Sequence, residues 1–376
     1  MRASRVHPRA IAVADETTPS WGLGHRPALD GVRGVAFIMV LVGHAGWPVF
    51  NRAHEFGVEL FFVLSGVLIT GVLLSERVGT GRIDLLRFYG RRARRLLPAL
   101  LAMLSVLTIA GLLGIGRWAP TTAGVLGGIT YTSNFLIING VDIGNLNHLW
   151  SLAVEEHFYL VWPIVLMIAS GRRQLRISVV LVVILVLVAE SWIWREVLVI
   201  QGRGGDWTRL YSASEIRCSS PFVGAALAVL LLRSRPRLSS PLFAIAGLLG
   251  ALALVWLSTG PSITGAPEYW LVALPLAALA SLAILVAALA PGGPIVRIFS
   301  MSWLRWLGRH SYSGYLWHYP IFLGIGGTLT RMDTMQTLVG VALTLLAAVV
   351  STRYVEQRWR SSGARPAVNS PSVAAA

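Results

Sequence analysis

Apolar residues occur along the chain in long runs, separated by short segments rich in arginine and glycine. A transmembrane helix needs about 20 mostly apolar residues, each rising about 1.5 Å. We predict ten spans, near 34–50, 57–75, 97–116, 148–170, 176–198, 219–233, 240–258, 268–290, 311–329 and 335–353. The segment 119–147 is apolar enough to hold a re-entrant segment or an additional pair of spans. The pattern predicts an all-α, polytopic transmembrane helix bundle.

The two ends of the chain differ in composition from the part between them. Residues 1–26 are polar and basic, and we predict that they form a cytoplasmic tail in front of an uncleaved first span. Residues 361–376 are rich in Ala, Ser and Pro and are predicted to be disordered. We assign 27–360 to a single membrane domain and expect a stand-alone version without an appended soluble domain.

The composition supports this class of protein. Only 13% of the 376 residues are charged, whereas a soluble domain carries about 25%. The net charge is +15, which can indicate nucleic-acid binding, but the arginines concentrate in alternate loops, as they do on the cytoplasmic side of membrane proteins. We therefore predict that both termini are cytoplasmic and that the chain meets a lipid bilayer and no nucleic acid. The single cysteine, Cys218, excludes an internal disulfide.

Ionisable residues inside apolar runs are costly in a membrane, so each is a candidate functional residue. Asp30, Arg33 and His44 share one face of the first span, because eleven residues at about 100° each complete close to three turns. Arg33 alone also fits an interfacial anchor, and His44 alone also fits a packing histidine bonded to another helix. Glu59 lies near the outer start of the second span, where water could solvate it.

Two later spans carry further polar groups. At the start of the fourth, one face holds four residues and a fifth lies beside it: His148, Ser151, Glu155, Tyr159 and Glu156. In the ninth, Tyr315 and His318 share a face. A helix N-terminus tolerates one carboxylate and an interfacial belt explains some aromatic residues, but neither explains adjacent acids together with histidines. These groups predict an acid–base site in the outer half of the membrane. No CxxC, HExxH or other metal-ligand spacing is present, so no metal is expected.

Six stretches resemble the membrane acyltransferase-3 family, bacterial integral-membrane O-acyltransferases of glycans, lipopolysaccharide sugars and macrolides. They are RPALDGVRGVAFIMVLVGH, GVELFFVLSGVLIT, FYGRRARRLLPAL, HLWSLAVEEHFYLVWP, SYSGYLWHYP and STRYVEQRW. The similarity runs from about Pro27 to Arg358, nearly the whole chain. The family pattern of a basic residue, ten intervening residues and a histidine falls on Arg33 and His44. The resemblance implies that His44 is the catalytic histidine and that Arg33 is an essential partner.

Other family positions follow from the same resemblance. The acids of the family motifs fall on Glu59, Glu155 and Glu156, and a weaker match, YSASEIRCSSPFVGAAL, places Arg217 at an arginine position. His157 replaces a more usual glutamine and Glu59 a more usual aspartate. We expect substrate binding by the remaining polar groups, namely Asp30, Glu59, His148, Ser151, Tyr159, Arg217, Tyr315 and His318.

The resemblance implies acyl-CoA, by default acetyl-CoA, as co-substrate, a hydroxyl as acceptor and no permanently bound cofactor. Arg33 and the cluster Arg91, Arg92, Arg94 and Arg95 are candidates for holding the CoA phosphates, although the positive-inside rule explains the cluster equally well. His44 would act as general base, oriented by Glu155 or Glu156.

Several alternatives stay open at this point. His44 or Ser65 could carry the acyl group covalently, but Ser65 has no base at helical spacing. The acceptor is expected to be a cell-surface carbohydrate or glycolipid, with a macrolide or its sugar as the alternative. The polar groups could also line a proton-coupled transporter, although no inverted repeat is found in the sequence. The expected location is the inner (cytoplasmic) membrane, and the oligomeric state is left open.

Overall fold

The computed structural model describes residues 26–115, 119–171, 175–201, 207–234, 241–260, 266–290, 292–326 and 332–361. The tails predicted over 1–26 and 361–376 lie outside these ranges except for one residue each. The helices are α1 (Pro27–His44), α2 (Ala53–Thr80), α3 (Leu85–Leu112), α4 (Thr122–Ile129), α5 (Ser133–Ile138), α6 (Leu149–Ala169), α7 (Ile177–Ile200), α8 (Trp207–Ser212), α9 (Ser214–Arg217), α10 (Ser219–Ser234), α11 (Pro241–Ser258), α12 (Leu274–Leu289), α13 (Pro294–Phe299), α14 (Ser302–Gly326), α15 (Thr334–Ser351) and α16 (Gln357–Ser361). Short π-helical segments precede α12 (Tyr269–Ala273) and α16 (Thr352–Glu356).

The described residues form helices and no strands, which confirms the predicted all-α polytopic bundle. Within these ranges, nine helices are long and apolar enough to cross a membrane. The remaining predicted span corresponds to α14, whose 25 residues reach about 37 Å. α14 carries Arg305, Arg309 and several histidines and tyrosines, and it is not among the nine.

The segment 119–147 contains only short elements. Its helices α4 and α5 have 8 and 6 residues, which reach about 12 and 9 Å, far less than the hydrocarbon core of about 30 Å. The alternative of an additional pair of spans in this segment is therefore wrong. α5 packs against α6 and α8, so the segment contributes to the wall of the bundle near the start of α6.

The basic stretch that precedes the third predicted span is helical. α3 begins at Leu85, where the Asp84 side chain accepts a hydrogen bond from the backbone N–H of Arg87 at 2.9 Å. The arginines of FYGRRARRLLPAL therefore lie on the first turns of a 28-residue helix. Hydropathy alone predicted a start near 97, because the arginine-rich turns of α3 before this position add no apolar signal.

α1 lies between α2 and α14 at the centre of the bundle. α1 and α14 approach so closely that a Cβ atom added at Gly308 would lie 1.7 Å from the carbonyl oxygen of Asp30. Small residues at such crossings let two backbones touch, which is how membrane helices gain packing energy without a hydrophobic driving force. This contact joins α14 to the first turn of α1, and further along the same two helices His318 lies against His44 at the end of α1.

Glu59 and Arg217 form an ion pair inside the bundle. Both side chains are 1% exposed or less, and Arg217 Nη2 lies 3.2 Å from Glu59 Oε2. The Ser220 hydroxyl also donates to Glu59. The alternative in which water solvates Glu59 is wrong, because α10 covers this turn of α2 and Arg217, the last residue of α9, brings a cation to it.

Candidate active site

A cavity of about 630 Å³ lies where the C-terminal end of α1 meets the start of α2 and of α6. We call it the histidine cavity. Its lining includes the titratable residues His44, His54, Glu55, His148, Tyr211, Tyr315 and Tyr319. His44, His148 and Tyr315, which were predicted from the sequence, therefore share one cavity, whereas His54 and Glu55 were not predicted.

Four histidine rings cluster at this cavity. The ring centroid of His44 lies 4.5 Å from that of His54 and 4.9 Å from that of His318. The His318 ring lies in turn 5.6 Å from the ring of His148. The residues that the structure describes include no group of three or more His, Cys, Asp or Glu arranged to hold a metal ion.

A backbone hydrogen bond orients the His44 ring. Its Nδ1 atom lies 3.0 Å from the carbonyl oxygen of Val40, one turn earlier in α1. A carbonyl oxygen only accepts hydrogen bonds, so Nδ1 of the neutral ring carries the proton and Nε2 keeps its lone pair. His44 is thus held in the tautomer in which Nε2 can accept a proton from a bound group.

Gly43 allows His54 to approach His44. A Cβ atom added at Gly43 would lie 2.3 Å from the backbone nitrogen of His54 and 2.8 Å from its Cβ and Nδ1 atoms. Any side chain at position 43 would push the start of α2 away from α1. The His44–His54 contact therefore depends on a residue without a side chain at this position.

A second cavity, of about 100 Å³, lies between α1, α2, α3, α6 and α14. We call it the arginine cavity. Its polar lining includes Arg33, Ser65, Arg92, Arg95, Ser151, Glu155, Glu156, Tyr159 and Tyr315. Arg92 binds Glu156 with an N···O distance of 2.8 Å, and its guanidinium lies 3.3 Å from the centroid of the Tyr159 ring.

The acids of α6 do not contact His44. Glu155 accepts hydrogen bonds from the hydroxyls of Ser65 and Tyr159, while Glu156 binds Arg92. Both acids line the arginine cavity and not the histidine cavity. The expected orientation of His44 by one of them is therefore not found. These acids lie nearly two helical turns after the start of α6, whereas His44 lies at the C-terminal end of α1.

Tyr315 lies between the two cavities and lines both. Its hydroxyl contacts the Ser151 hydroxyl and donates to the carbonyl oxygen of His148 at 3.1 Å. These two bonds tie α14 to the first turn of α6. The predicted residues Ser151, His148 and Tyr315 thus form one hydrogen-bonded group at the boundary.

Other predicted residues lie outside both cavities. Arg91 pairs with Glu76 at 3.9 Å, and Arg94 Nε donates to the carbonyl oxygen of Gly90 at 3.1 Å. Asp30 pairs with Arg33 at 4.0 Å. Neither Asp30 nor the Glu59–Arg217 pair lines the histidine or the arginine cavity. His318 is buried behind His44, with Nδ1 2.6 Å from the carbonyl oxygen of Tyr315.

Comparison with known proteins identifies the class to which this fold and site belong. The profile described as an acyltransferase domain matches residues 26–353. The chain therefore belongs to this acyltransferase family, which confirms the resemblance found in the sequence and makes the protein a multi-pass membrane acyltransferase. No solved structure matches the chain.

Three relatives illustrate the similarity. The O-acetyltransferase OatA of Staphylococcus aureus strain NCTC 8325 is 31% identical over 351 residues, which cover 90% of this chain and 57% of OatA. The peptidoglycan O-acetyltransferase OatA of Listeria monocytogenes is 31% identical over 353 residues, covering 90% and 56%. A putative O-acetyltransferase of S. aureus strain MSSA476, SAS0844, is 28% identical over 359 residues, covering 90% and 58%. The chain thus spans somewhat more than half the length of these relatives.

Proposed function

We propose that the protein is an O-acyltransferase of the cytoplasmic membrane that moves an acetyl group from acetyl-CoA to a hydroxyl of a cell-surface carbohydrate. The observation that carries the proposal is the meeting of two chemically different cavities at Tyr315. One is lined by guanidinium groups and the other by histidines. The names of the relatives, which include a peptidoglycan O-acetyltransferase, support an acetyl donor and a carbohydrate acceptor.

The arginine cavity is the proposed donor site. Guanidinium groups bind phosphate oxygens through paired, charge-assisted hydrogen bonds, and Arg33, Arg92 and Arg95 converge there. If both termini are cytoplasmic, the start of α1 and the start of α3 bring this cavity to the cytoplasmic side, where acyl-CoA is available. The pantetheine arm would then reach past Tyr315 towards His44.

The histidine cavity is the proposed acceptor site. Nε2 of His44 accepts the proton of the acceptor hydroxyl while the hydroxyl oxygen attacks the thioester carbonyl carbon. The new C–O bond forms, the C–S bond breaks, and the proton passes from the imidazolium to the leaving thiolate. General base catalysis of this kind contributes about 10²–10⁴-fold to the rate, and the Val40 carbonyl supports it by holding the required tautomer.

The proposal is tested with the purified chain in lipid nanodiscs. Radiolabelled acetyl-CoA is supplied with chitotetraose, a soluble oligosaccharide of N-acetylglucosamine, or with a macrolide. We expect an acetyl ester on the oligosaccharide. Transfer to the macrolide alone would replace the acceptor class, and the absence of both transfer and acetyl-CoA hydrolysis would favour a carrier over an enzyme.

A further inference from the structure

Glu55 is a buried carboxylate that the proposed reaction does not use. It lies in the first turn of α2, is 4% exposed and lines the histidine cavity. Its Oε2 atom lies 3.7 Å from Nε of Arg52 and has no hydrogen-bond partner at ordinary geometry, although the Tyr269 phenol approaches the same carboxylate. The guanidinium offsets part of the cost of burying the charge, but a buried acceptor without a hydrogen bond calls for an explanation.

Aromatic rings line the same cavity. Trp150 and Tyr211 lie with their centroids 4.6 Å apart, and Trp207 stacks on Trp270 at 6.3 Å with an angle of 13° between the ring planes. The guanidinium of Arg217 lies 5.5 Å from the Trp150 ring and 6.0 Å from the Tyr211 ring, on the side of the buried Glu59 pair. The buried Arg217–Glu59 pair therefore supports the Trp150 and Tyr211 rings, which form the aromatic wall of the cavity.

The wall and the carboxylate together fit the chemistry of a sugar ring. A pyranose has an apolar face of C–H groups and a rim of hydroxyls, so it suits a flat aromatic surface beside hydrogen-bond acceptors. Burial raises the pKa of the Tyr211 phenol, so this hydroxyl stays neutral and can donate to a sugar oxygen. An acceptor bearing phosphate groups would instead be repelled by Glu55.

We propose that the part of the histidine cavity between Glu55 and Trp207 is the subsite for a neutral sugar ring of the acceptor. Glu55 accepts hydrogen bonds from hydroxyls of this ring, and Trp207 packs against its apolar face. Glu55 follows His54, whose ring lies against His44, so a ring bound here presents a neighbouring hydroxyl to the base. This inference rests on the proposed function.

The test compares Glu55→Gln and Trp207→Ala with the wild type, using the full chain in nanodiscs. Chitotetraose binding is measured calorimetrically without acetyl-CoA, and the KM for each substrate is measured during transfer. Glu55→Gln removes hydrogen bonds to a charged group, which are among the stronger ones, and Trp207→Ala removes the aromatic surface for the apolar face of the ring. We therefore expect each variant to raise the Kd and KM for chitotetraose about tenfold or more. The KM for acetyl-CoA should not change, because neither residue lines the arginine cavity.

Two matched variants serve as controls. Trp303→Ala removes an exposed tryptophan of α14, and Glu215→Gln removes an exposed carboxylate that pairs with Arg209. Both should leave chitotetraose binding unchanged. Thermal unfolding identifies any loss of folding in Glu55→Gln, in which case Trp207→Ala alone decides.

The outcomes separate this subsite from the proposed reaction. Transfer to chitotetraose that is equally efficient in the wild type and in both variants overturns the subsite and leaves the reaction standing. Wild-type binding that weakens in the variants, without any transfer, supports the subsite and overturns the reaction. A wild-type protein that neither binds nor acetylates chitotetraose overturns the subsite.

Discussion

The imidazole rings of His44 and His54 lie with their centroids 4.5 Å apart, at the end of α1 and the start of α2. The turn between these helices brings the rings together, and Gly43 leaves room for the contact. The proposed base therefore does not stand alone in an apolar helix. It belongs to a cluster whose geometry depends on how closely two helix ends approach.

The first prediction concerns this approach. Gly43→Ala places a methyl group where the backbone nitrogen of His54 would lie 2.3 Å away, so the two helix ends must separate. We expect acetyl transfer to fall at least about tenfold, since small displacements of catalytic groups cost up to about a hundredfold. Initial rates with purified protein give the measurement.

Gly79→Ala provides the matched control, because a Cβ atom at this position of α2 meets no atom within 4 Å. This substitution should keep full activity, and a helical Gly→Ala exchange should stabilise the fold by about 0.4–1 kcal/mol. Equal rates for Gly43→Ala and Gly79→Ala would show that the close contact does not matter for catalysis.

The second prediction concerns the buried pair of Glu59 and Arg217. Glu59→Gln leaves the Arg217 cation buried without its counterion, and the loss of one partner of such a pair costs about 3–5 kcal/mol. We expect a marked drop in Tm. Glu215→Gln, in the exposed pair with Arg209, should cost less than about 1 kcal/mol. An unchanged Tm in Glu59→Gln would contradict a structural role for the pair.

The third prediction separates donor binding from the positive-inside rule. Arg92 lines the arginine cavity, whereas Arg94, on the same helix, does not. Arg92→Gln should raise the KM for acetyl-CoA about 10–100-fold, because hydrogen bonds to charged groups contribute about 1.5–3 kcal/mol. Arg94→Gln should leave it unchanged. Equal effects of the two substitutions on the KM for acetyl-CoA would mean that these arginines only determine the orientation of the protein in the membrane.

The fourth prediction concerns the covalent alternative. The Ser65 hydroxyl donates to Glu155, which gives it the potential base that helical spacing did not provide. Direct transfer nevertheless predicts that Ser65→Ala keeps transfer within about tenfold of the wild type, because Glu155 retains its bond to Tyr159. Mass spectrometry of quenched wild-type protein should find no acetyl ester, and an acetylated Ser65 would establish the covalent route.

The helices of this protein follow from its apolar runs, because length and hydropathy alone define a membrane span. What hydropathy misses is the extension of helices beyond the bilayer. α3 begins at Leu85 and α14 at Ser302, well before the predicted starts of 97 and 311. Their arginine-bearing first turns continue the helix without adding an apolar signal.

The site was predictable only in part. Helical spacing groups residues within one span: Ser151, Tyr159 and the acids of α6 do line one cavity, but His148, which was grouped with them, lines the other. It gives no information on contacts between spans. His54 was therefore missed, and the α6 acids were assigned to His44, although their partners Ser65 and Arg92 lie on α2 and α3.

The most direct test of the account is the rate of acetyl transfer by His44→Ala in nanodiscs. With the general base removed, we expect a fall of at least about 10²-fold, with unchanged Tm and unchanged acetyl-CoA affinity. His310→Ala, which removes a histidine of α14 that lies outside both cavities, with its ring centroid 4.5 Å from that of Trp306, should keep the wild-type rate. A His44→Ala protein that transfers acetyl groups within about tenfold of the wild type would contradict the role of His44 as the base.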